Sequence, residues 1–332
     1  MSTPCYNGYM NKSSAFSRKV LNPQTPMQSV KKALDKSTSW GKVANWYNNF
    51  IEKTEDSYQR TLILPNLIRL LEIKRGEAIL DLACGQGFFA REFAKLGAKV
   101  IGVDIAPELI AIAKQDRSST FSLRDNNLTK QVAEFKKMLD RSVEYHVSQA
   151  HKLDFLHNQS VDKITIILSL QNVENANEVI KEVSRVLRPK GKLFIVLNHP
   201  AFRIPKQSSW GWDETKKVQY RRLDSYLSEA KETIQMHPGD NPSEKTISFH
   251  RPLQFYFKLL SKNGFLISRL EEWNSHRISE EGPKKEAEDR ARREFPLFLY
   301  LEAINPAPFF CGVFNPHAEK ETTKPTHQAA GF

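Results

Sequence analysis

The chain has 332 residues, of which 40% are hydrophobic and 26% charged, with 49 Lys plus Arg against 38 Asp plus Glu for a formal net charge of +11. That is ordinary globular composition, long enough for one large domain or two small ones, and no apolar run approaches the roughly 20 residues of a membrane-spanning helix. Cys5, Cys84 and Cys311 lie too far apart for a disulfide framework or a structural zinc site, so a reducing, cytoplasmic setting is expected.

Residues 1–34 contain no Asp or Glu, only Lys12, Arg18, Lys19, Lys31 and Lys32 among polar residues. The composition is that of an organellar transit peptide, but repeated Arg and an amphipathic stripe are missing. Residues 1–38 therefore read as a disordered basic leader, with organellar import as the alternative. A helical segment from Trp40 to Leu71 follows. Ala78–Ala83 reads as a buried strand, Cys84-Gly85-Gln86-Gly87 as a tight loop, and Phe88, Phe89, Phe93 and Ala94 as the inner face of a helix. Lys99–Asp104 gives a second strand, and Pro107 opens a helix through Leu109, Ile110 and Ile112.

Residues 115–142 read as a polar insertion with a helix at Lys130–Leu139, ahead of a third strand at Glu144–Val147. A fourth strand is expected at Asp162–Leu170, a helix at Ala176–Leu187, and a fifth strand at Gly191–Leu197 after the turn Arg188-Pro189-Lys190-Gly191. From 200 to 249 the pattern breaks into irregular sequence rich in aromatic residues, Pro and Lys, a candidate cap or lid. Regular elements resume with a helix at Pro252–Lys262, a strand at Phe265–Trp273, a charged helix near Lys284–Arg293 and a strand at Pro296–Ala303. Strands alternating with helices predict a doubly wound α/β domain over 39–311, with a disordered tail at 312–332.

A glycine turn between strand and helix lets backbone approach a ligand closely, and an acid ending the next strand can accept hydrogen bonds from ribose hydroxyls. Gly85 and Gly87 supply the first and Asp104 the second, 19 residues after Gly85. This spacing alone also suits a dinucleotide. Asp81, four residues ahead of Gly85, separates the two: a carboxylate there repels a pyrophosphate and attracts an ammonium.

The run Ile79-Leu80-Asp81-Leu82-Ala83-Cys84-Gly85-Gln86-Gly87 resembles motif I of the class I S-adenosylmethionine-dependent methyltransferases, particularly their type 11 group. Val103-Asp104-Ile105-Ala106-Pro107, Gln149-Ala150 and Val186-Leu187-Arg188-Pro189-Lys190-Gly191 are similar to further segments of that family, over about residues 40–305. The resemblance implies a seven-stranded, mostly parallel sheet of order 3-2-1-4-5-7-6. It also implies S-adenosylmethionine as cofactor, held at Asp81, Ala83, Cys84, Gly85 and Gly87. Asp104 and Ile105 would meet the ribose, Gln149 and Ala150 the adenine, and Ser169 and Leu170 the end of the fourth strand. Gln149 stands where the family usually has Asp, and its carbonyl can still accept from an adenine amino group. Cys84 reads as a small buried residue rather than a nucleophile.

Methyl transfer is an in-line displacement that needs a positioned nucleophile, with a base only when that nucleophile carries a proton. His199, beyond the fifth strand, is the first candidate base, a structural histidine being the alternative reading. Tyr220 and His250 are further catalytic candidates. Asn172, Asn198, Trp210, Trp212, Arg221 and Arg222 are the candidate acceptor-binding residues. Residues 188–222 carry nine basic against two acidic side chains, which suggests a small acidic or aromatic acceptor. The rival readings are a protein or RNA methyltransferase, a nicotinamide oxidoreductase and a non-catalytic cofactor-binding module. Binding of nucleic acid is not indicated, and no metal site is expected.

Overall fold

The computed structural model describes residues 39–119, 142–236 and 244–306. The expected leader at 1–38, the helix Lys130–Leu139, the tail at 312–332, Cys5 and Cys311 lie outside the described residues.

Seven strands form one sheet: β1 (Ala78–Leu82), β2 (Lys99–Asp104), β3 (Val143–Val147), β4 (Val161–Ile167), β5 (Leu187–Asn198), β10 (Leu266–Trp273) and β11 (Phe298–Ile304). Their spatial order is β10-β11-β5-β4-β1-β2-β3. Counted within the sheet this is 3-2-1-4-5-7-6, as the resemblance implied. Pairing is parallel from β3 through β5, and β11 runs antiparallel to both β5 and β10.

Period-two alternation sends successive strand residues to opposite faces, and here both faces are apolar because both are covered. Leu80, Ile164, Leu193 and Ile195 join one buried cluster with Val179, Ile180 and Val183 of one helix (Ala176–Val186) and Leu259 and Leu260 of another (Leu253–Lys262). Ile79, Val100, Phe194 and Val196 join the other with Leu67, Leu70 and Leu71 (helix Leu64–Leu71) and Phe93 (helix Phe88–Lys95). Each such fully buried side chain contributes about 1.5–3 kcal/mol, so the two clusters hold the helices to the sheet.

Element edges differ from expectation in two places that matter. The fourth strand stops at Ile167 because Leu168 turns left-handed (φ 53°), so Leu170 opens a short 3₁₀ turn, Leu170–Asn172. The turn Arg188–Gly191 is absorbed into β5 as a register shift against β4.

The 200–249 segment is a correction: it is not irregular. It contains two antiparallel ribbons, β6 (Ser208–Asp213) with β7 (Val218–Leu223), and β8 (Ala230–Gln235) with β9 (Lys245–His250). Its aromatic and charged residues alternate without a clean apolar face, since the ribbons are only half covered, and the strand signal is lost to the eye. The N-terminal segment is likewise broken, into α1 (Ser39–Lys42), α2 (Ala44–Lys53), a π-helical turn (Gln59–Ile63) and the helix Leu64–Leu71.

Candidate active site

The carboxyl ends of β1, β2, β3 and β4 converge on three cavities joined by shared walls, where ligands of open α/β sheets bind. A small one, about 40 Å³, is lined by Asp81, Cys84, Gly85, Gln86 and Gln59. A central one, about 400 Å³, is lined by Ala83, Gly85, Asp104, Ile105, Ser169 and Asn172 on the sheet side. The third, about 290 Å³, is lined by Asp104, Ile105, Ser148, Gln149 and Ala150. Tyr47 and Ala83 stand at the seam of the first two.

The loop between β1 and its helix is built for close approach. Ala83, Gly85 and Gly87 all take positive φ (61°, 58° and 82°). A Cβ at Gly87 would lie 2.3 Å from the Tyr145 hydroxyl, and one at Gly102 would lie 2.5 Å from the same ring, so one phenol on β3 keeps both positions bare. Ala83 and Leu168 hold strained left-handed conformations on the central cavity's wall, each costing of the order of 1–2 kcal/mol.

Among the described residues no Lys or Arg lines the three cavities, and the one imidazole is that of His151 in the third. Asp81 is 1% exposed; Thr165 donates a hydrogen bond to its Oδ1 (2.9 Å), and Oδ2 is buried without a hydrogen-bond partner. Burial, reinforced by nearby Asp104, pushes its carboxyl up to about 7. Asp104 accepts one backbone N–H at each oxygen, from Gly85 and Ala106, both at 2.9 Å, which leaves further lone pairs on each. Burial raises its pKa as well. Gln86 Nε2 and Ser169 Oγ are also buried without partners. Burial pushes the Cys84 thiol well above its ordinary value, so it is no nucleophile. A ligand that carries an ammonium at one end, ribose hydroxyls in the middle and a flat base at the other fits these groups. S-adenosylmethionine has that order of parts, and a dinucleotide would set a pyrophosphate against Asp81.

A family model described as a methyltransferase domain matches residues 80–195. Residues 80–195 are a methyltransferase domain, set in the sheet order of the class I fold. The domain is 30% identical over 145 residues to a ubiquinone biosynthesis O-methyltransferase of Xanthomonas oryzae, covering 42% of this chain and 53% of that one. It is 32% identical over 156 residues to a demethylmenaquinone methyltransferase of Lactobacillus johnsonii, covering 45% and 54%. The chain thus spans about half the length of the curated relatives it matches. The fold is shared with a crystal structure of an S-adenosylmethionine-dependent methyltransferase from Mesorhizobium loti (TM-score 0.53, 22% identity, 72% of this chain and 96% of that one).

Of the cofactor residues expected in the methyltransferase domain, Asp81, Ala83, Cys84, Gly85, Asp104, Ile105, Gln149, Ala150 and Ser169 line the three cavities. Gly87 is instead the packing partner of Tyr145, and Leu170 is a correction: fully buried, it belongs to the core cluster. Asn172 lines both larger cavities.

The catalytic candidates are corrected, because the structure puts all three off the cavity walls. His199 is 4% exposed, its Nδ1 facing the N–H groups of Ala201 and Phe202 (3.2 and 3.3 Å) and its Nε2 bonded to Glu272 (2.8 Å). Two N–H donors at Nδ1 put the proton on Nε2, and burial lowers its pKa: this is a neutral structural histidine. His250 Nε2 is bonded to the Tyr226 carbonyl (2.8 Å), and Tyr220 packs over Gly211 within the β6–β7 ribbon.

Most acceptor candidates move too. Arg221 donates to the Phe202 carbonyl and to Ser208 Oγ and stacks on Trp210, while Arg222 pairs with Asp224 (3.0 Å). Trp210 packs edge-on to Phe295, Trp212 lies under Lys284, and Asn198 accepts from Arg203. The β6–β7 ribbon therefore lies against the helix Lys285–Glu294 and not over the cavity.

Sequence reasoning missed much of the wall that is present: Val173, Glu174, Thr246, Ile247 and Phe249. Trp40 and Tyr47 complete it, from the expected helical segment Trp40–Leu71. The available signal for β9 was the alternation Thr246-Ile247-Ser248-Phe249, hidden in a stretch read as irregular. Among the described residues no group of three or more His, Cys, Asp or Glu is placed to hold a metal, and no helix is long and apolar enough to cross a membrane.

Proposed function

We propose that the protein transfers the methyl group of S-adenosylmethionine to a nucleophilic atom of a small molecule. The observation that carries this reading is the buried Asp81 carboxylate, its Oδ2 without a hydrogen-bond partner, at one end of a joined cavity whose central chamber has a second, aromatic wall. Asp81 would hold the ammonium, Asp104 the ribose hydroxyls, and the Gln149-Ala150 turn the adenine. The cofactor supplies an electrophilic methyl on a sulfonium. The chain's own contribution is to place the acceptor in line with it and exclude water. Proximity and desolvation then do most of the work, since among the described residues no imidazole lines the central chamber. Asp104, Glu174 and Tyr47 are the ionisable groups on the central wall, and burial beside Asp104 and Asp81 pushes Tyr47 up to about 12, so it stays a neutral phenol.

Support for a small molecule over a protein or RNA comes from the basic segment 188–222. Five of its nine basic residues are paired with acids: Arg188 with Asp162, Lys192 with Glu302, Lys206 with Glu232, Lys217 with Glu214 and Arg222 with Asp224. The two quinone-pathway names among the relatives agree with a small, ring-bearing acceptor. Calorimetric titration tests the reading. S-adenosylmethionine should bind the wild type, Asp81→Asn should weaken it about tenfold or more, as expected for a lost charged hydrogen bond, and NADH should give no heat. Tight NADH binding without S-adenosylmethionine binding would overturn it.

A further inference from the structure

The central cavity has two unlike halves. The half at the strand ends carries Asp104, the glycine turn and Ser169. The opposite half comes from two segments about 200 residues apart in the chain, α1 and β9. These are tied together by a hydrogen bond from Ser39 Oγ to Thr246 Oγ1 (3.3 Å) and an ion pair between Lys42 and Glu244 (3.4 Å).

This second half is apolar and held in place. Trp40 packs edge-on to Tyr47 (5.5 Å between centroids), which fixes its ring. Phe249 lies between the Arg251 guanidinium (4.9 Å) and the Lys231 ammonium (5.4 Å). Ile247, two residues before Phe249 on the strand, shares its face and is 39% exposed. Charge sharpens the picture. No Lys, Arg or His lines this cavity among the described residues, and its carboxylates are Asp104 and Glu174. The cations behind the wall are already engaged. Lys231 pairs with Glu174 (2.9 Å), and Arg251 donates to the carbonyls of Glu174 (2.6 Å) and Leu170 (3.5 Å). An anionic acceptor would lose its hydration there, find no cation on the cavity wall and face the Asp104 carboxylate, whereas a neutral ring would replace water against Trp40, Ile247 and Phe249.

On the methyl-transfer reading, we infer that α1 and β9 form the acceptor subsite, and that it takes an uncharged, ring-bearing apolar molecule and rejects its carboxylate or phosphate counterparts. Thr246 and Ser39 place hydroxyls at its margin, suited to a hydroxyl or carbonyl on such a ring. This replaces the acidic acceptor expected from the Arg221 and Arg222 pair, which the fold sets elsewhere.

The test uses the full chain saturated with S-adenosylhomocysteine, titrated calorimetrically with 2-naphthol and with 2-naphthoate, two probes of one ring system that differ in charge. 2-Naphthol should bind at least about tenfold tighter, and Trp40→Ala should weaken it by a similar factor. Ile247→Lys, at a partly exposed position, should move the preference toward 2-naphthoate by about tenfold. Equal binding of the two probes, no binding of 2-naphthol, or a preference unmoved by Ile247→Lys each overturns the inference. S-adenosylhomocysteine titrated alone is the separate readout: if it fails to bind the wild type, the methyl-transfer reading itself falls and the subsite with it.

Discussion

Asp81, proposed to hold the cofactor's ammonium, shows how a residue kept for binding can oppose stability. A carboxyl raised from its ordinary value to about 7 means that the folded chain holds a proton which the unfolded chain has released. Between those two values folding therefore takes up protons, and stability falls as pH rises through that window. Ligand-free protein should consequently resist urea better at pH 5 than at pH 8, and Asp81→Asn should flatten that difference while weakening cofactor binding. A pH dependence left unchanged by Asp81→Asn would contradict the assignment. His199 has the opposite sign. Its lowered pKa means the folded state prefers the neutral ring, so its contribution is lost as pH falls below the ordinary imidazole value. His199→Ala should cost about 1–3 kcal/mol by leaving the Ala201 and Phe202 amides without their acceptor. Once corrected for folded fraction, its kcat should keep the wild-type pH profile. A lost limb of that profile would restore His199 as a base.

At the level of elements, legibility followed burial. Strands covered on both faces, such as Ala78–Leu82 and β5, read as near-continuous apolar runs, and the tight turn after β1 was legible through Gly85 and Gly87. The half-covered ribbons did not read, because a strand with one wet face and several aromatic residues has no single period to follow. Acceptor residues were sought in the ribbon rich in Trp and Arg, yet Arg221 and Trp210 mainly hold that ribbon to its neighbours. The wall that lines the cavity comes from short, unremarkable segments, α1 and β9, which only tertiary packing brings together. The loop's glycines can be tested directly. Gly87→Ala would force a Cβ into the Tyr145 hydroxyl at φ 82°, and should cost about 1–3 kcal/mol, read as a lowered Tm, together with weaker cofactor binding. An unchanged Tm would mean that β3 yields more easily than the packing suggests.

For the molecule as a whole, ligand and fold are linked through the ends of β1 to β4. A cofactor that binds only the folded state adds about 2.7 kcal/mol at a hundredfold excess over its Kd. S-adenosylhomocysteine should thus raise the Tm by a few degrees, and Asp81→Asn should lose most of that gain at the same concentration. A shift identical in both proteins would detach Asp81 from the binding site. The sheet's two apolar clusters supply the rigid floor on which this linkage acts.

Tyr145 has a consequence for how this chain can change over time. A single aromatic residue on an edge strand touches the places where Gly87 and Gly102 lack a side chain, so a side chain at either one needs a smaller residue 145. A lineage that shrank residue 145 would make room at Gly102, whereas the left-handed backbone of Gly87 would still favour glycine. One that replaced Gly102 first would meet a fitness barrier, and in a collection of descendants residues 102 and 145 should drift as a pair while residue 87 stays fixed.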